Sequence, residues 1–354
     1  MTTIFPLLKV TDVVFDEILI HLELNEIFNL SLCSPKTRDI VRCHMKKSIR
    51  YPLYLDTKEN DVMKFGFIGE KGKHVPMMSV RQSKNNFMRN YSKNMQKIIE
   101  KFLSNERQSE IVSMKGYEEK KVKISKYDDH YALISNNDRE WMDGCILVLV
   151  HITDLFRNTI DTLYCNNPYT MKFKYNAPLR MTYAGGEEFI GYWDLVEYEQ
   201  EKSTKTGGLQ LRTRLPKGYD FTLIRDYEYI RIERAHFARS GDVLKVAKKS
   251  REVIFDESGL LSNSLNKIFN YWLEHRIDGL KFLSIRMKSY KELSVFREIE
   301  HRISDTTEEV NYKSYTGEMY RLSPGKRLRR DDGVTALFSY DPNTRILNFG
   351  VLLD

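Results

Sequence analysis

The chain has 354 residues, 41% of them hydrophobic and 30% charged, with a formal net charge of +7 at pH 7. This length points to roughly two domains, and the balance is that of a soluble globular protein rather than a disordered one. The longest apolar run, Cys145 to Ile152, falls far short of the ~20 residues a bilayer requires, so no membrane partner is expected.

The first fifty residues read as three short helices with almost no loop between them. In the first, Val14, Ile18 and Leu22 stand four apart with Phe15 and Leu19 beside them, a wide apolar stripe. Thr11 can cap its start, and Asp12 suits the helix dipole. Asn25 repeats that device before Ile27, Phe28, Leu30 and Leu32. Ser34-Pro35 then gives a capping serine with proline at the first helical position. A segment this short cannot bury three apolar faces against itself, so some of that surface must meet another part of the chain or another protein. An ordinary helical cap on a globular domain is the plain alternative.

The order of motifs here resembles an F-box, and more narrowly the nematode-type F-box family. The chain has Phe5-Pro6-Leu7-Leu8 at the opening and Leu30-Ser31-Leu32-Cys33-Ser34 later. Where that family usually has Leu-Pro, this chain has Val10-Thr11. The resemblance implies binding to the Skp-type adaptor of a cullin-RING ubiquitin ligase. The residues expected to make that contact are Phe5, Pro6, Leu7, Leu8, Val10, Val14, Ile18, Leu19, Leu22, Ile27, Leu30 and Leu32.

Beyond Arg50 the texture turns to alternation. Tyr51 to Asp56 and Met63 to Ile68 predict short strands. Met95, Ile98, Ile99, Phe102 and Leu103 suggest a helix. A better one runs from Met142 to Asn158, with Leu147, Val150, Ile152, Leu155 and Phe156 inward, followed by a strand at 159–164. Met171, Phe173 and Tyr175 alternate with polar residues as a half-buried strand does. Residues 201–208 are polar and end in Gly207-Gly208, the best candidate for an exposed loop or boundary. Strands are expected at 221–224 and 229–232, and a C-terminal hairpin at 334–353 turning at Asp341-Pro342-Asn343. Residues 258–273 predict a helix with Leu265, Ile268, Phe269 and Trp272 on one face, before a strand at 280–287. The helix–strand pairs at 142–164 and 258–287 are compatible with degenerate stacked units, though their spacing exceeds that of a leucine-rich repeat.

The second pair also resembles the type 2 F-box-associated region through Leu265-Asn266, Phe269, Trp272 and Leu280 to Ile285. Arg329-Arg330-Asp331-Asp332-Gly333 followed by Ala336 fits the ends of such proteins. With the first motifs, the resemblance covers about 1–48 and 225–345. It implies that this region recognises a protein destined for ubiquitination.

A search for other chemistry finds little. The eight histidines lack the spacing of a zinc protease helix, and no Cys-x-x-Cys pair exists to frame a structural metal. Lys205-Thr206-Gly207-Gly208 has the residues of a phosphate loop in the wrong order. Glu187-Glu188, adjacent on the chain, read as a solvated turn rather than an acid–base pair. No nucleophile elbow is present, so no catalysis and no cofactor are expected. Four cysteines in a chain this long do not make a disulfide framework, which implies a reducing cytoplasmic or nuclear location. The N-terminus shows no secretory pattern. Six basic residues between Lys36 and Arg50 face one acid, Asp39; a nucleic-acid surface, a solvated face and a dock for an acidic protein are all readings of that patch. Lys326 to Arg330 is either an import-signal composition or an edge strand with outward arginines and Leu328 inward. Tyr183, Tyr192, Tyr198, Tyr219, Tyr227 and Tyr229 suit strand packing or, if exposed, a substrate face.

The sequence therefore predicts an α+β fold: three helices at 1–48, a mixed region at 49–208, and an F-box-associated region at 209–354. Residues 49–354 contain enough apolar positions for a core independent of the first three helices. The expected function is a non-catalytic substrate receptor that holds the adaptor, and through it a cullin, at one end and a protein substrate at the other. The alternative is a basic nucleic-acid-binding protein using residues 36–50.

Overall fold

The structure, a computed structural model, describes residues 10–45, 51–57, 62–82, 109–115, 119–127, 130–135, 138–165, 179–185, 206–212, 223, 225–236, 238–322 and 324–352. The expected α+β architecture is present, three helices leading into a strand-rich remainder. The chain divides into two compact units, residues 1–164 and 165–354. No helix among the described residues is long and apolar enough to cross a membrane. The helix expected around Met95 to Leu103 and the strand at Met171 to Tyr175 lie outside the described residues, as do Glu187-Glu188.

The first unit opens with α1 (Asp12–His21), α2 (Leu24–Leu32) and α3 (Pro35–His44). Ser34 caps α3 as its sequence demands, its Oγ accepting from the Thr37 amide at 3.0 Å. Asn25 does not cap α2. The helix begins one residue earlier, with Glu23 and Glu26 forming a reciprocal box in which Glu26 accepts from the Glu23 amide at 2.8 Å. Six strands follow: β1 (Leu53–Thr57), β2 (Val62–Ile68), β3 (His74–Gln82), β4 (Ser109–Lys115), β5 (Glu119–Tyr127) and β6 (His130–Ser135). The predicted helix is α4 (Asp138–Phe156), and the strand after it is β7 (Ile160–Cys165).

The strand order in this unit is β7-β1-β2-β3-β6-β5-β4. Strands β1 and β2, β2 and β3, β4 and β5, and β5 and β6 pair antiparallel, whereas β3 and β6 run parallel. Helix α4 lies on the face formed by β2, β3, β4 and β6, burying Val148, Ile152, Leu155 and Phe156. Helices α2 and α3 in turn pack on α4, and α2 also reaches β3 and β4. The first three helices are thus part of this unit's core rather than a detachable cap. Within this unit, a core independent of them is not what the packing provides: Phe28 is fully buried, edge-on to His151 of α4 with ring centroids 5.7 Å apart.

The second unit contains β8 (Leu179–Ala184), β9 (Thr206–Leu211), β10 (Tyr227–Ile232), α5 (Ser240–Ala247), β11 (Ser250–Phe255), α6 (Ser262–Leu273), β12 (Phe282–Arg286) and α7 (Glu292–Val295). Then come β13 (Ile303–Thr306), β14 (Val310–Lys313), β15 (Met319–Leu322), β16 (Gly325–Arg329), β17 (Thr335–Asp341) and β18 (Ile346–Val351). Strands β8 to β12 are parallel neighbours in chain order, with α5 and α6 as successive crossovers. Of the two helix–strand pairs the sequence singled out, 258–287 is α6 with β12 in this parallel run, and 142–164 is α4 with β7 of the first unit. The sheet continues antiparallel through β18, β17, β16 and β13, and β17–β18 is the expected C-terminal hairpin. Helix α6 turns Leu265, Ile268, Phe269 and Trp272 onto it, and Phe269 and Trp272 each meet Phe349 at 5.3 Å.

The opposite face of the parallel sheet is covered by β14 and β15, a separate two-stranded ribbon. Tyr312 of the ribbon stacks on Phe282 at 4.5 Å, and Tyr315 stacks on Tyr229 at 6.4 Å. Glu252 of β11 tethers it, accepting from the Tyr312 hydroxyl at 2.8 Å and from the Tyr315 amide at 2.9 Å. Burial pushes the Glu252 carboxyl above its ordinary range, against the pull of those two hydrogen bonds. The paired glycines expected in a loop lie instead in β9, beneath this ribbon. A Cβ on Gly207 would stand 2.2 Å from the Tyr315 hydroxyl, and one on Gly208 would stand 2.5 Å from Met181 Sδ.

Residues 325–329 are not an edge strand, since β16 pairs on both sides. Leu328 faces in as expected and Arg329 faces out. Arg330, however, is buried: it lies over the Trp272 ring at 5.0 Å and pairs with Asp278 and Asp332. Tyr227 and Tyr229 are packed inside, while Tyr192, Tyr198 and Tyr219 lie outside the described residues.

Candidate functional site

Helix α1 carries more apolar surface than the fold consumes. Phe15 and Leu19 are buried, whereas Val13, Val14 and Ile20 are 78%, 46% and 73% exposed. Positions 13 and 20 are seven apart and lie opposite the Phe15–Leu19 side, so this ten-residue helix carries apolar side chains on two opposite sides. Exposed β-branched residues grouped on one short helix mark an interaction surface rather than a fold requirement.

The expected site residues fall into two sets. Val14 is exposed, and Val10, Ile18, Leu22 and Leu30 are half-buried. Leu19, Ile27 and Leu32 lie in the interior, at 6%, 3% and 3% exposure. Phe5, Pro6, Leu7 and Leu8 lie outside the described residues. Sequence reasoning passed over Val13 and Ile20, although their seven-residue spacing was the available signal.

The half-buried residues line two grooves. One, of about 540 Å³, runs between α1 and α3 beside Val10, Phe15, Ile40 and His44. His44 is fixed there by Asp16, its Nδ1 standing 2.6 Å from the carboxylate, with Phe15 against its ring. The other, of about 500 Å³, gathers Ile18, Leu22 and Leu30 with Val112 of β4, Ile124 of β5 and Tyr131 of β6.

A buried histidine fixes α2 against the rest of the unit. The Lys115 amide donates to His151 Nδ1 at 3.1 Å, so that nitrogen is bare and the proton of the neutral ring sits on Nε2. Nε2 then donates to Ser31 Oγ at 3.1 Å, and Ser31 donates to the Phe28 carbonyl at 2.6 Å. Every hydrogen-bonding group in that chain is satisfied inside the protein, as its burial requires. Just outside it, Asp154 of α4 receives Lys115 Nζ at 3.0 Å and faces Arg42 of α3 at 3.3 Å.

Those contacts bear on the basic stretch. Arg38 is buried and pairs with Asp39 at 2.9 Å, and Arg42 faces Asp154, while 46–50 lie outside the described residues. Among the described residues, no group of three or more His, Cys, Asp or Glu is placed to hold a metal. Cys145 is buried deep in α4, which pushes its thiol well above the ordinary range and makes it a packing residue.

No curated protein and no solved structure matches the chain. The F-box domain family matches residues 7–48, the segment that holds α1, α2 and α3. Domains of this family bind the Skp-type adaptor of Skp-cullin-F-box ubiquitin ligases, and the proteins that carry them are generally substrate receptors rather than catalysts. Three short helices, a surplus of exposed apolar side chains and that match together make residues 7–48 an F-box domain.

Proposed function

We propose that this chain is a non-catalytic substrate receptor of a Skp-cullin-F-box ligase. The adaptor contact is made by Val10, Val14, Ile18, Leu22 and Leu30, joined by Val13 and by Phe5, Pro6, Leu7 and Leu8. Leu19, Ile27 and Leu32 support that surface from below. The observation that carries the reading is α1, with Val13, Val14 and Ile20 in water inside a matched F-box. We read 225–345 as a type 2 F-box-associated region of nematode type that holds a protein substrate. That reading rests on Leu265-Asn266, Trp272 and Leu280 to Ile285 standing in order. Function then follows from proximity: holding substrate and ubiquitin-loaded enzyme in one assembly raises the effective concentration of a substrate lysine. The pairing of Arg38 and Arg42 with carboxylates argues against nucleic acid on residues 36–50.

The test is retrieval of the adaptor and a cullin from a nuclease-treated reducing lysate by the tagged chain. Replacing Leu8 and Ile18 together by alanine should abolish that retrieval, since truncated hot-spot residues typically cost ~2 kcal/mol or more each. Undiminished co-purification with the double variant would sink the assignment.

Val10-Thr11 offers a gain-of-affinity test. Thr11 caps α1 with φ −67° and ψ 155°, a conformation proline adopts, and its side chain makes no capping hydrogen bond. Val10→Leu with Thr11→Pro should therefore leave the fold intact and slow adaptor dissociation, by stiffening the chain that enters the helix. Equal or faster dissociation in a binding-kinetics trace would show that the departure from Leu-Pro is neutral.

A further inference from the structure

The second groove has walls of different origin. Ile18, Leu22 and Leu30 belong to the F-box, whereas Val112, Ile124 and Tyr131 come from three strands far along the chain. An F-box that met its adaptor alone would have no need of the second wall. We propose that the adaptor contact extends past the F-box onto β4, β5 and β6, with this groove receiving an apolar segment of the Skp-type adaptor. The inference rests on the adaptor reading above and adds to it the residues outside 7–48 that share the interface.

Continuity is the first argument. The half-buried apolar residues on one wall are those left over from the F-box's own packing, so a partner seated on α1 and α2 faces the opposite wall across the same opening. Rigidity is the second. Ser31 stands between Leu30 and Leu32 on the helical wall, and Lys115 ends the strand that carries Val112. His151 hydrogen-bonds both, so one buried imidazole ties the two walls together. A groove held open in this way costs its occupant little ordering on arrival. The chemistry of the walls is the third: aliphatic side chains and one tyrosine ring make up most of the lining, with Glu26, Asn29 and Cys33 beside them, and they select an apolar side chain or a short helical face with a polar margin.

The experiment is titration of the purified full-length chain with purified adaptor, each variant paired with a melting curve. Tyr131→Ala should weaken binding about tenfold, the scale of losing an aromatic anchor. Val112→Thr keeps the side-chain shape, adds a hydroxyl to the wall and should weaken binding in the same direction. Ile111→Ser, one residue along β4 on the other face and 76% exposed in the unaltered chain, should bind as before. If Tyr131→Ala also lowers the melting temperature, Val112→Thr decides. Unchanged affinity in both groove variants, with loss in Ile18→Ala, would overturn the inference and leave the adaptor reading standing. No binding by the unaltered chain would overturn both.

Discussion

Trp272→Ala is expected to unfold the second unit while leaving the F-box able to hold its adaptor. Trp272 is 1% exposed at the end of α6, edge-on to Phe349 and beneath the Arg330 guanidinium. Truncating so large a side chain costs about 3–5 kcal/mol, because the site cannot collapse around the void. A domain has roughly 5–15 kcal/mol in all, so the loss consumes much of its margin. Arg330 adds to the penalty, since a buried guanidinium would lose the ring it lies on. The indole nitrogen has no hydrogen-bond partner among the described residues, so Trp272→Phe should be far milder. The measurement is a thermal melt of each full-length variant beside an adaptor pull-down. An unshifted melt for the alanine variant would mean that α6 does not hold this unit together.

Removing residues 1–48 should be costly in the other unit. Phe28, Ile27, Leu32 and Val41 are buried on or beside α4 and the sheet, and each fully buried aliphatic or aromatic side chain contributes about 1.5–3 kcal/mol. The truncation also breaks the hydrogen bond that His151 Nε2–H gives to Ser31, a net loss of about 0.5–1.5 kcal/mol. The expected result is fast hydrogen exchange through 109–115, 130–135 and 138–156, with 206–352 as protected as in the full chain. Slow exchange across α4 in the truncated chain would show that the helices are dispensable to the unit they cover.

What could be read from the chain and what could not separate along physical lines. Helix α3 was legible because its stop and start signals are local: Ser34, Pro35 and the Thr37 amide lie within one turn. Helices α4 and α6 were legible because their apolar faces repeat at the helical period over long stretches. The F-box was legible through motif order rather than through periodicity, which alone left an ordinary helical cap equally open. Strands β9 and β11 escaped because both their faces are covered, so no alternation survives in Thr206–Leu211 or Ser250–Phe255. The glycines of β9 misled for a related reason. They are small because Tyr315 lies over them, and nothing near position 207 in the chain announces a tyrosine so far away. Arg330 looked outward because its partners, Asp278 and the Trp272 ring, likewise come from distant segments. In the site itself, the sequence found the apolar residues of the F-box but could not sort them, since Leu19 and Ile18 differ only in which way the helix happens to face.

The surface of α1 has a consequence for how much of this protein a cell can carry. Val13, Val14 and Ile20 form an apolar patch suited to being covered by a partner. A copy without its adaptor presents that helix to every other copy, and the tendency to self-associate grows with concentration. Adaptor supply would then set a ceiling on the useful dose of receptor: surplus chains gather into oligomers, and added adaptor dissolves them. Light scattering of the purified chain across a concentration series, with and without adaptor, would register that ceiling directly.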